Sequence, residues 1–239
     1  MLQAILFDLD GTLLPLDQAE FTRRYLEKLG AFFASLGYEP EALCAGVWDA
    51  TGAMVENDGS RSNEAAFWER FSAGLPGRDP AALRAQFEDF YATAFRELRA
   101  FTGYNPALGA LVKGLRARGL KTVLASNPVF PMAVQEQRLR WAGLDGGDFD
   151  LVTAYENSSF CKPNIAYYQE ICDKLGLDPG ACLMVGNDAA EDMAAGALGM
   201  RVFLVTDRLH NPQGLDIAAF PHGSWVDCAM YIERLRQED

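Results

Sequence analysis

The architecture of this chain follows from the segment Leu2–Leu13, whose sequence is LQAILFDLDGTL. Its apolar run ends at two aspartates, and Gly11 interrupts the run directly afterwards. A short apolar run that ends in a glycine turn is typical of a buried parallel strand. Such a strand delivers its last side chains to the carboxyl edge of the sheet, where open α/β folds bind ligands. Because Asp8 and Asp10 are two residues apart, both side chains are predicted to point to the same side of the strand.

Strands and helices alternate in the second part of the chain. Four further apolar runs are predicted strands, at 120–125, 150–153, 181–185 and 201–205. Helices are predicted at about 106–118, at about 164–175, 190–198 and 226–236, and before Ala142. This alternation predicts an α/β fold, with a mostly parallel, doubly wound (Rossmann-like) sheet as its core.

Between the first strand and the others, the pattern is entirely helical. Apolar residues recur at helical spacing over about 17–37, 40–55 and 63–72, and then in a single helix from Pro80 through Leu98. A stretch of about 80 residues is long for a crossover between two strands. The sequence therefore predicts a core of residues 1–15 and 100–239 with an inserted all-helical subdomain, residues 16–99.

Composition narrows the class of function. The chain has 239 residues and a formal net charge of −12, so an overall basic footprint for a nucleic acid polymer is absent. Neither a transmembrane segment nor a signal peptide is expected, which predicts no membrane partner and a cytoplasmic location. The five cysteines show no CxxC pattern and fit reduced thiols. The chain has only two histidines, which does not favour a histidine-based metal cluster or a Ser-His-Asp triad.

Four short motifs resemble those of the haloacid dehalogenase-like hydrolases, in the family's order along the chain. Asp8-Leu9-Asp10-Gly11-Thr12 resembles the DxDGT motif, and Ser126-Asn127 ends the next core strand. Lys162 precedes a proline, and Asp188 and Asp192 follow a strand four residues apart. The family inserts a helical cap between its first and second motifs, so the resemblance implies a lid over the Asp8 edge.

One position departs from the family's pattern. A glycine commonly precedes the first acid of the fourth motif, whereas Asn187 stands between Gly186 and Asp188 here. The spacing from Asp188 to Asp192 is intact, so the metal-binding interpretation survives. Asn187 itself is a candidate hydrogen-bond donor beside the site.

The resemblance implies roles for the two aspartates of the first motif. Asp8 would be the nucleophile, because a carboxylate with a reference pKa of about 4 is already ionised at neutral pH. Asp10 would protonate the leaving oxygen and later deprotonate the hydrolytic water. The dehalogenases of the family replace this second aspartate, so Asp10 favours phosphoryl transfer over dehalogenation.

The second and third motifs would bind the phosphoryl group. The Ser126 hydroxyl, with the neighbouring backbone N–H at Asn127, would hold a phosphoryl oxygen, although Ser-Asn-Pro alone is also ordinary turn chemistry. Lys162 would both bind the substrate and assist catalysis. It would offset the repulsion between Asp8 and a phosphate, about 4 kcal/mol at 4 Å for an effective dielectric near 20. A surface lysine is the alternative.

The resemblance also implies a divalent cation. The Asp8 carboxylate, the Asp10 backbone carbonyl and Asp188 would bind it, and Asp192 would be a further ligand or act through water and Lys162. All-oxygen ligands beside a phosphate indicate Mg²⁺. Glu191 is expected to be exposed or a helix-start charge rather than a ligand.

The leading prediction is an enzyme, an Mg²⁺-dependent phosphatase that hydrolyses a small phosphorylated metabolite through an aspartyl-phosphate. A sugar phosphomutase of the same family, or a non-catalytic module that binds a phospho-ligand or protein, are the alternatives. In the insertion, Trp48 and Trp68 are predicted core residues, and Arg61 a solvated loop charge. The specific substrate, the specificity residues and the oligomeric state stay open at this point.

Overall fold

The computed structural model describes residues 1–238 and contains a six-stranded sheet. Asp239, the last residue of the predicted core segment, lies outside the described residues. The strands are β1 (Ala4–Phe7), β2 (Lys121–Leu124), β3 (Leu151–Val152), β4 (Cys182–Gly186), β5 (Arg201–Val205) and β6 (His222–Gly223). Their order in the sheet is β3-β2-β1-β4-β5-β6, and every neighbouring pair is parallel. The predicted α/β fold with a parallel sheet is therefore confirmed.

Eight α-helices accompany the sheet over residues 1–238. They are α1 (Gln18–Ala34), α2 (Pro40–Val55), α3 (Asn63–Ala73), α4 (Pro80–Ala92), α5 (Pro106–Ala117), α6 (Met132–Trp141), α7 (Ile165–Leu175) and α8 (Trp225–Glu238). None of these helices is both long and apolar enough to cross a membrane.

Strand β1 lies at the centre of the sheet and positions the first motif. Ile5 and Phe7 pack into one apolar cluster, whereas Ala4 and Leu6 pack into a second. This alternation places one cluster on each face of the sheet, which explains why the strand is apolar at every position. Phe7, the last residue of β1, pairs with Leu124 of β2 and with Val185 of β4. The segments that follow these three strands therefore meet at one edge of the sheet. We call this edge the carboxyl edge.

The segment between β1 and β2 is helical, as predicted, and packs over the carboxyl edge. We call residues 18–101 the helical insertion. The backbone N–H of Asn63 donates to the Ser158 carbonyl at 2.8 Å, and that of Glu64 donates to the Tyr155 carbonyl at 2.8 Å. Ser158 and Tyr155 lie in the loop after β3, on the carboxyl edge. The insertion is therefore held against the edge that carries the motifs.

The predicted single helix from Pro80 through Leu98 is wrong in one respect. Helix α4 ends at Ala92, and Thr93 leaves helical geometry with φ −123° and ψ −91°. A 3₁₀ helix, Ala94–Phe101, follows. Phe95 and Leu98 are still buried, so the apolar face continues beyond Thr93 although the α-helix ends there.

The structure differs from the sequence prediction at three further places. The predicted helix at 190–198 is a turn followed by a 3₁₀ helix, Met193–Leu198, because its small residues offer little apolar surface to a longer helix. Strand β6 was not predicted, since two residues carry no periodicity and only backbone pairing with β5 defines them. Trp68 is buried as predicted, but Trp48 is 62% exposed and is not a core residue.

Candidate active site

Lys162 joins two aspartates that come from different motifs. Its Nζ lies 2.8 Å from Oδ1 of Asp8 and 2.6 Å from Oδ1 of Asp192, and its side chain is only 1% exposed. Burial alone would lower the pKa of Lys162, but the carboxylates of Asp192 and Asp8 outweigh it and raise this pKa well above its usual value. Lys162 is therefore a fixed cation beside Asp8 and not a surface lysine.

The loop before α7 positions Lys162 through its neighbours. The backbone N–H of Lys162 donates to Oδ1 of Asn127 at 3.2 Å, which ties the third motif to the second. Asn164 caps α7 by accepting the Ala166 N–H. Cys161 is buried, and burial raises the pKa of its thiol to about 12, so it is a packed thiol and not a nucleophile.

The fourth motif forms a tight turn after β4. Oδ1 of Asp188 accepts the backbone N–H groups of Ala190 and Glu191 at 2.8 and 2.7 Å. The Asp188 N–H donates to Oδ2 of Asp192 at 2.9 Å. Both oxygens of Asp192 are thus occupied, one by Lys162 and one by the backbone. These contacts favour the second of its two predicted roles, action through Lys162.

Asp10 pairs with an arginine that the sequence did not single out. Nη2 of Arg138, on α6, donates to Oδ2 of Asp10, and Nη1 donates to Gln135 at 3.0 Å. The Arg138 side chain is 1% exposed. Burial raises the pKa of Asp10, and the neighbouring Arg138 works in the opposite direction.

A signal for Arg138 was present in the sequence. Val134, Arg138 and Trp141 are spaced as one face of a helix, and all three are buried. An arginine within an apolar stripe needs a partner, because a buried charge is costly without one. The sequence does not say which acid, since Asp10 lies 128 positions away.

Asn187 connects the first and fourth motifs. Its Oδ1 accepts from Thr12 Oγ1 at 2.8 Å, and its Nδ2 donates to the Arg208 carbonyl at 2.7 Å. Gly11 passes directly over it with φ +78°, where an added Cβ would lie 2.3 Å from Nδ2 of Asn187. The Asn187 side chain therefore fastens the Asp10-Gly11-Thr12 turn, and its close approach requires glycine at position 11.

Ser126 and Asn127 follow β2 at the carboxyl edge. The Ser126 carbonyl accepts hydrogen bonds from Thr153 and Tyr167 at 2.8 and 2.9 Å, which fixes the backbone of this turn. The Asn127 side chain is engaged by Lys162 and by Glu191, whose Oε2 lies 3.2 Å from Nδ2. Glu191 is partly buried, contrary to the expected exposed charge, and burial raises its pKa to about 8.

The oxygens at this edge suit a hard divalent cation. Oδ2 of Asp8 has no hydrogen-bond partner among residues 1–238, and Oδ2 of Asp188 has only His210 Nε2 near it, at 3.9 Å. Within the same residues, no three His, Cys, Asp or Glu side chains are arranged as a metal cluster. A cation here would therefore depend on two carboxylates, the Asp10 carbonyl, water and substrate, which is the coordination that Mg²⁺ commonly takes.

A cavity of about 1050 Å³ lies between the helical insertion and the carboxyl edge. Six predicted site residues line it, namely Asp8, Asp10, Ser126, Asn127, Asp188 and Asp192. Lys162 lies beneath them and contacts two of them. The structure thus brings together all seven residues predicted from the four motifs.

Comparisons with known proteins give one family and one fold. The family model described as haloacid dehalogenase-like hydrolase matches residues 2–199. A phosphonoacetaldehyde hydrolase of Bordetella avium (strain 197N) is 28% identical over 187 residues, which cover 77% of this chain and 64% of that protein. The match therefore spans less than two thirds of the curated relative's length.

Two solved structures share the fold. A predicted phosphoglycolate phosphatase from Haemophilus somnus 129PT has a TM-score of 0.57 at 20% identity, covering 97% of this chain and 98% of its own. An L-2-haloacid dehalogenase has a TM-score of 0.58 at 20% identity, covering 97% and 99%. Because a phosphatase and a dehalogenase resemble the chain equally, the fold alone does not distinguish their reactions.

Proposed function

Because the chain belongs to the haloacid dehalogenase-like hydrolases, we propose that it is a phosphatase acting on a small phosphorylated metabolite through an aspartyl-phosphate. One observation carries the proposal: Lys162 holds the Asp8 carboxylate at the cavity, two residues before a second acid, Asp10, which also lines the cavity and whose side chain is 24% exposed. A hydrolase that displaces halide has no alkoxide to protonate, whereas ester hydrolysis requires an acid at this place.

The first half of the proposed reaction transfers the phosphoryl group to the enzyme. A carboxylate oxygen of Asp8 attacks phosphorus, the bond from phosphorus to the ester oxygen breaks, and the departing alkoxide takes the proton of Asp10. Lys162 offsets the negative charge of the approaching groups. Burial raises the pKa of Asp10, which increases the fraction of Asp10 that carries this proton at neutral pH.

The second half releases phosphate and restores Asp8. Water attacks phosphorus, Asp10 accepts one proton of that water, and the bond from phosphorus to Asp8 breaks. The Ser126 hydroxyl and the backbone N–H of Asn127 would hold phosphoryl oxygens in both halves. When bound, Mg²⁺ would neutralise phosphoryl charge and orient the group. It would be held by Asp8, Asp188 and the Asp10 carbonyl, with Asp192 acting through Lys162.

Two further features belong to the same proposal. The helical insertion, residues 18–101 in the structure against the predicted 16–99, would serve as the cap over the cavity, and the rest of the chain would be the core. A cytoplasmic location is supported by free thiols at all five cysteines.

Phosphate release from a panel of small phosphomonoesters, with Mg²⁺ or with EDTA, tests the function. We expect release that EDTA abolishes and added Mg²⁺ restores, because the two site carboxylates and the phosphate would otherwise repel one another. Turnover of a sugar phosphate to an isomer without phosphate release would identify a mutase instead. Binding of phosphate without turnover of any ester would identify a binding module.

Replacing Arg138 tests how Asp10 is oriented. In Arg138→Met, we expect kcat/KM for alkyl phosphates to fall about tenfold, a part of the 10²–10⁴ that general acid catalysis typically contributes. The value for p-nitrophenyl phosphate should fall less, because its leaving group departs without a proton. The conservative variant Arg138→Lys should recover most of the difference. An equal loss for both ester types in Arg138→Met would show that Arg138 only supports the fold.

A further inference from the structure

The part of the cavity that the helical insertion lines has an apolar wall. Helices α1, α2 and α3 of the insertion supply it. The main apolar side chains in it are Phe21, Tyr25, Val47, Trp48, Val55 and Trp68. Trp48 is 62% exposed although it is a large apolar side chain. Val55 is 45% exposed, whereas the other four are already buried, so Trp48 and Val55 supply most of the apolar surface that a ligand could cover. This surface gains free energy when it contacts an apolar group, because both surfaces leave water.

The charges of the same wall do not favour an anion. Two arginines of the insertion line the cavity, and each is already in an ion pair: Arg61 with Glu69, and Arg70 with Asp49 at 2.5 Å. Glu56 adds a further carboxylate. Within the insertion part of the lining, acids therefore outnumber bases by three to two. Both pairs are about half exposed and cost little to break, but an added phosphate or carboxylate that took one of these arginines would leave a carboxylate of the wall unpaired beside it.

Gly52 leaves room in this wall. It lies on α2 among the lining residues, and a Cβ added to it would have no heavy atom within 4 Å. Packing within the protein therefore does not require glycine here. Glycine in the interior of a helix is unfavourable compared with alanine, and here it widens the cavity.

The volume also exceeds what a phosphate needs. Ligand pockets commonly measure about 300–1,000 Å³, and this cavity measures about 1050 Å³. Most of that space is available to the alcohol part of the ester.

From these four observations we infer the substrate class: the phosphate monoester of an uncharged alcohol that bears an aromatic or similarly large apolar group. The inference rests on the phosphatase function proposed above. The phosphate would lie at Asp8 and Lys162, and the apolar group would lie against Trp48 and the open space at Gly52.

Three esters with similar primary alkoxide leaving groups test the class. They are 2-phenylethyl phosphate, ethyl phosphate and 2-carboxyethyl phosphate. We expect kcat/KM to be at least tenfold higher for the phenylethyl ester than for the ethyl ester, and lowest for the carboxyethyl ester. A carboxyethyl ester hydrolysed as well as the phenylethyl ester would overturn the substrate class and leave the phosphatase function intact. Phosphate release from none of the three, together with release from other members of the panel above, would overturn the substrate class alone; release from no ester at all would remove the proposed function as well.

A substitution that fills the open space locates the apolar group. In Gly52→Leu, we expect kcat/KM for the phenylethyl ester to fall at least tenfold and that for the ethyl ester to change less than about twofold. Gly114→Leu is the matched control. Gly114 also lies within a helix, α5, has no heavy atom within 4 Å of an added Cβ, and does not line the cavity.

The control variant Gly114→Leu should leave kcat/KM for both esters unchanged. Equal losses for both esters in Gly52→Leu would show a general disturbance of the insertion, and unchanged kinetics would show that the apolar group does not occupy this space. Either result would overturn the placement.

Discussion

The rate of phosphate release should fall by at least about 10⁴-fold in the Asp8→Asn variant. Asp8 is the proposed covalent nucleophile, and removing such a nucleophile lowers kcat by many orders of magnitude. An amide has nearly the shape of a carboxylate but carries no charge to attack phosphorus. Its oxygen can still accept the hydrogen bond that Lys162 now donates to Asp8 at 2.8 Å. The variant therefore separates loss of the nucleophile from loss of the local structure.

Stability should change little in the same variant. Lys162 keeps its ion pair with Asp192, so no buried cation is left alone. We expect the thermal midpoint to stay within a few degrees of the wild type, measured by circular dichroism. Asp89→Asn, at an exposed position on α4, is the control and should retain full activity. Undiminished release by Asp8→Asn would mean another nucleophile or a contaminating phosphatase.

The Lys162→Met variant should lose both activity and stability. Removing the ammonium leaves the Asp8 and Asp192 carboxylates close together at the floor of the cavity with no cation between them. Breaking a buried pair in this way typically costs about 3–5 kcal/mol of unfolding free energy. Activity should fall by at least about 10²-fold, because the repulsion between Asp8 and the substrate phosphate is then no longer offset by the ammonium group. Urea denaturation and phosphate release measure the two losses.

A double variant separates the two roles of Lys162. Lys162→Met with Asp192→Asn removes one of the uncompensated carboxylates, so part of the lost unfolding free energy should return. Activity should not return, because the ammonium group beside Asp8 is still missing. If the double variant were less stable by the sum of the two single losses, the two side chains would not be coupled, and the ion pair at 2.6 Å would not be the source of the effect.

The convergence of the four motifs could be predicted because it depends on topology. Asp8, Ser126 and Asp188 each follow a strand of a parallel sheet, and the carboxyl ends of such strands lie at one edge. Helices α1 to α3 were predictable because their apolar residues recur at helical spacing. The break at Thr93 was not, because the apolar pattern continues through it while the backbone does not.

Local pattern by itself thus determined the fold class and the helical insertion, and the resemblance of four short motifs to those of the family identified the seven residues of the candidate site. Only the tertiary structure decided that Arg138 pairs with Asp10, that Asn187 fastens the Thr12 turn, and that Trp48 faces the cavity. The physical reason is that repeating backbone geometry carries information over a few residues. A contact between side chains far apart in sequence depends on how whole elements pack. The charge and shape of the cavity are the sum of many such contacts.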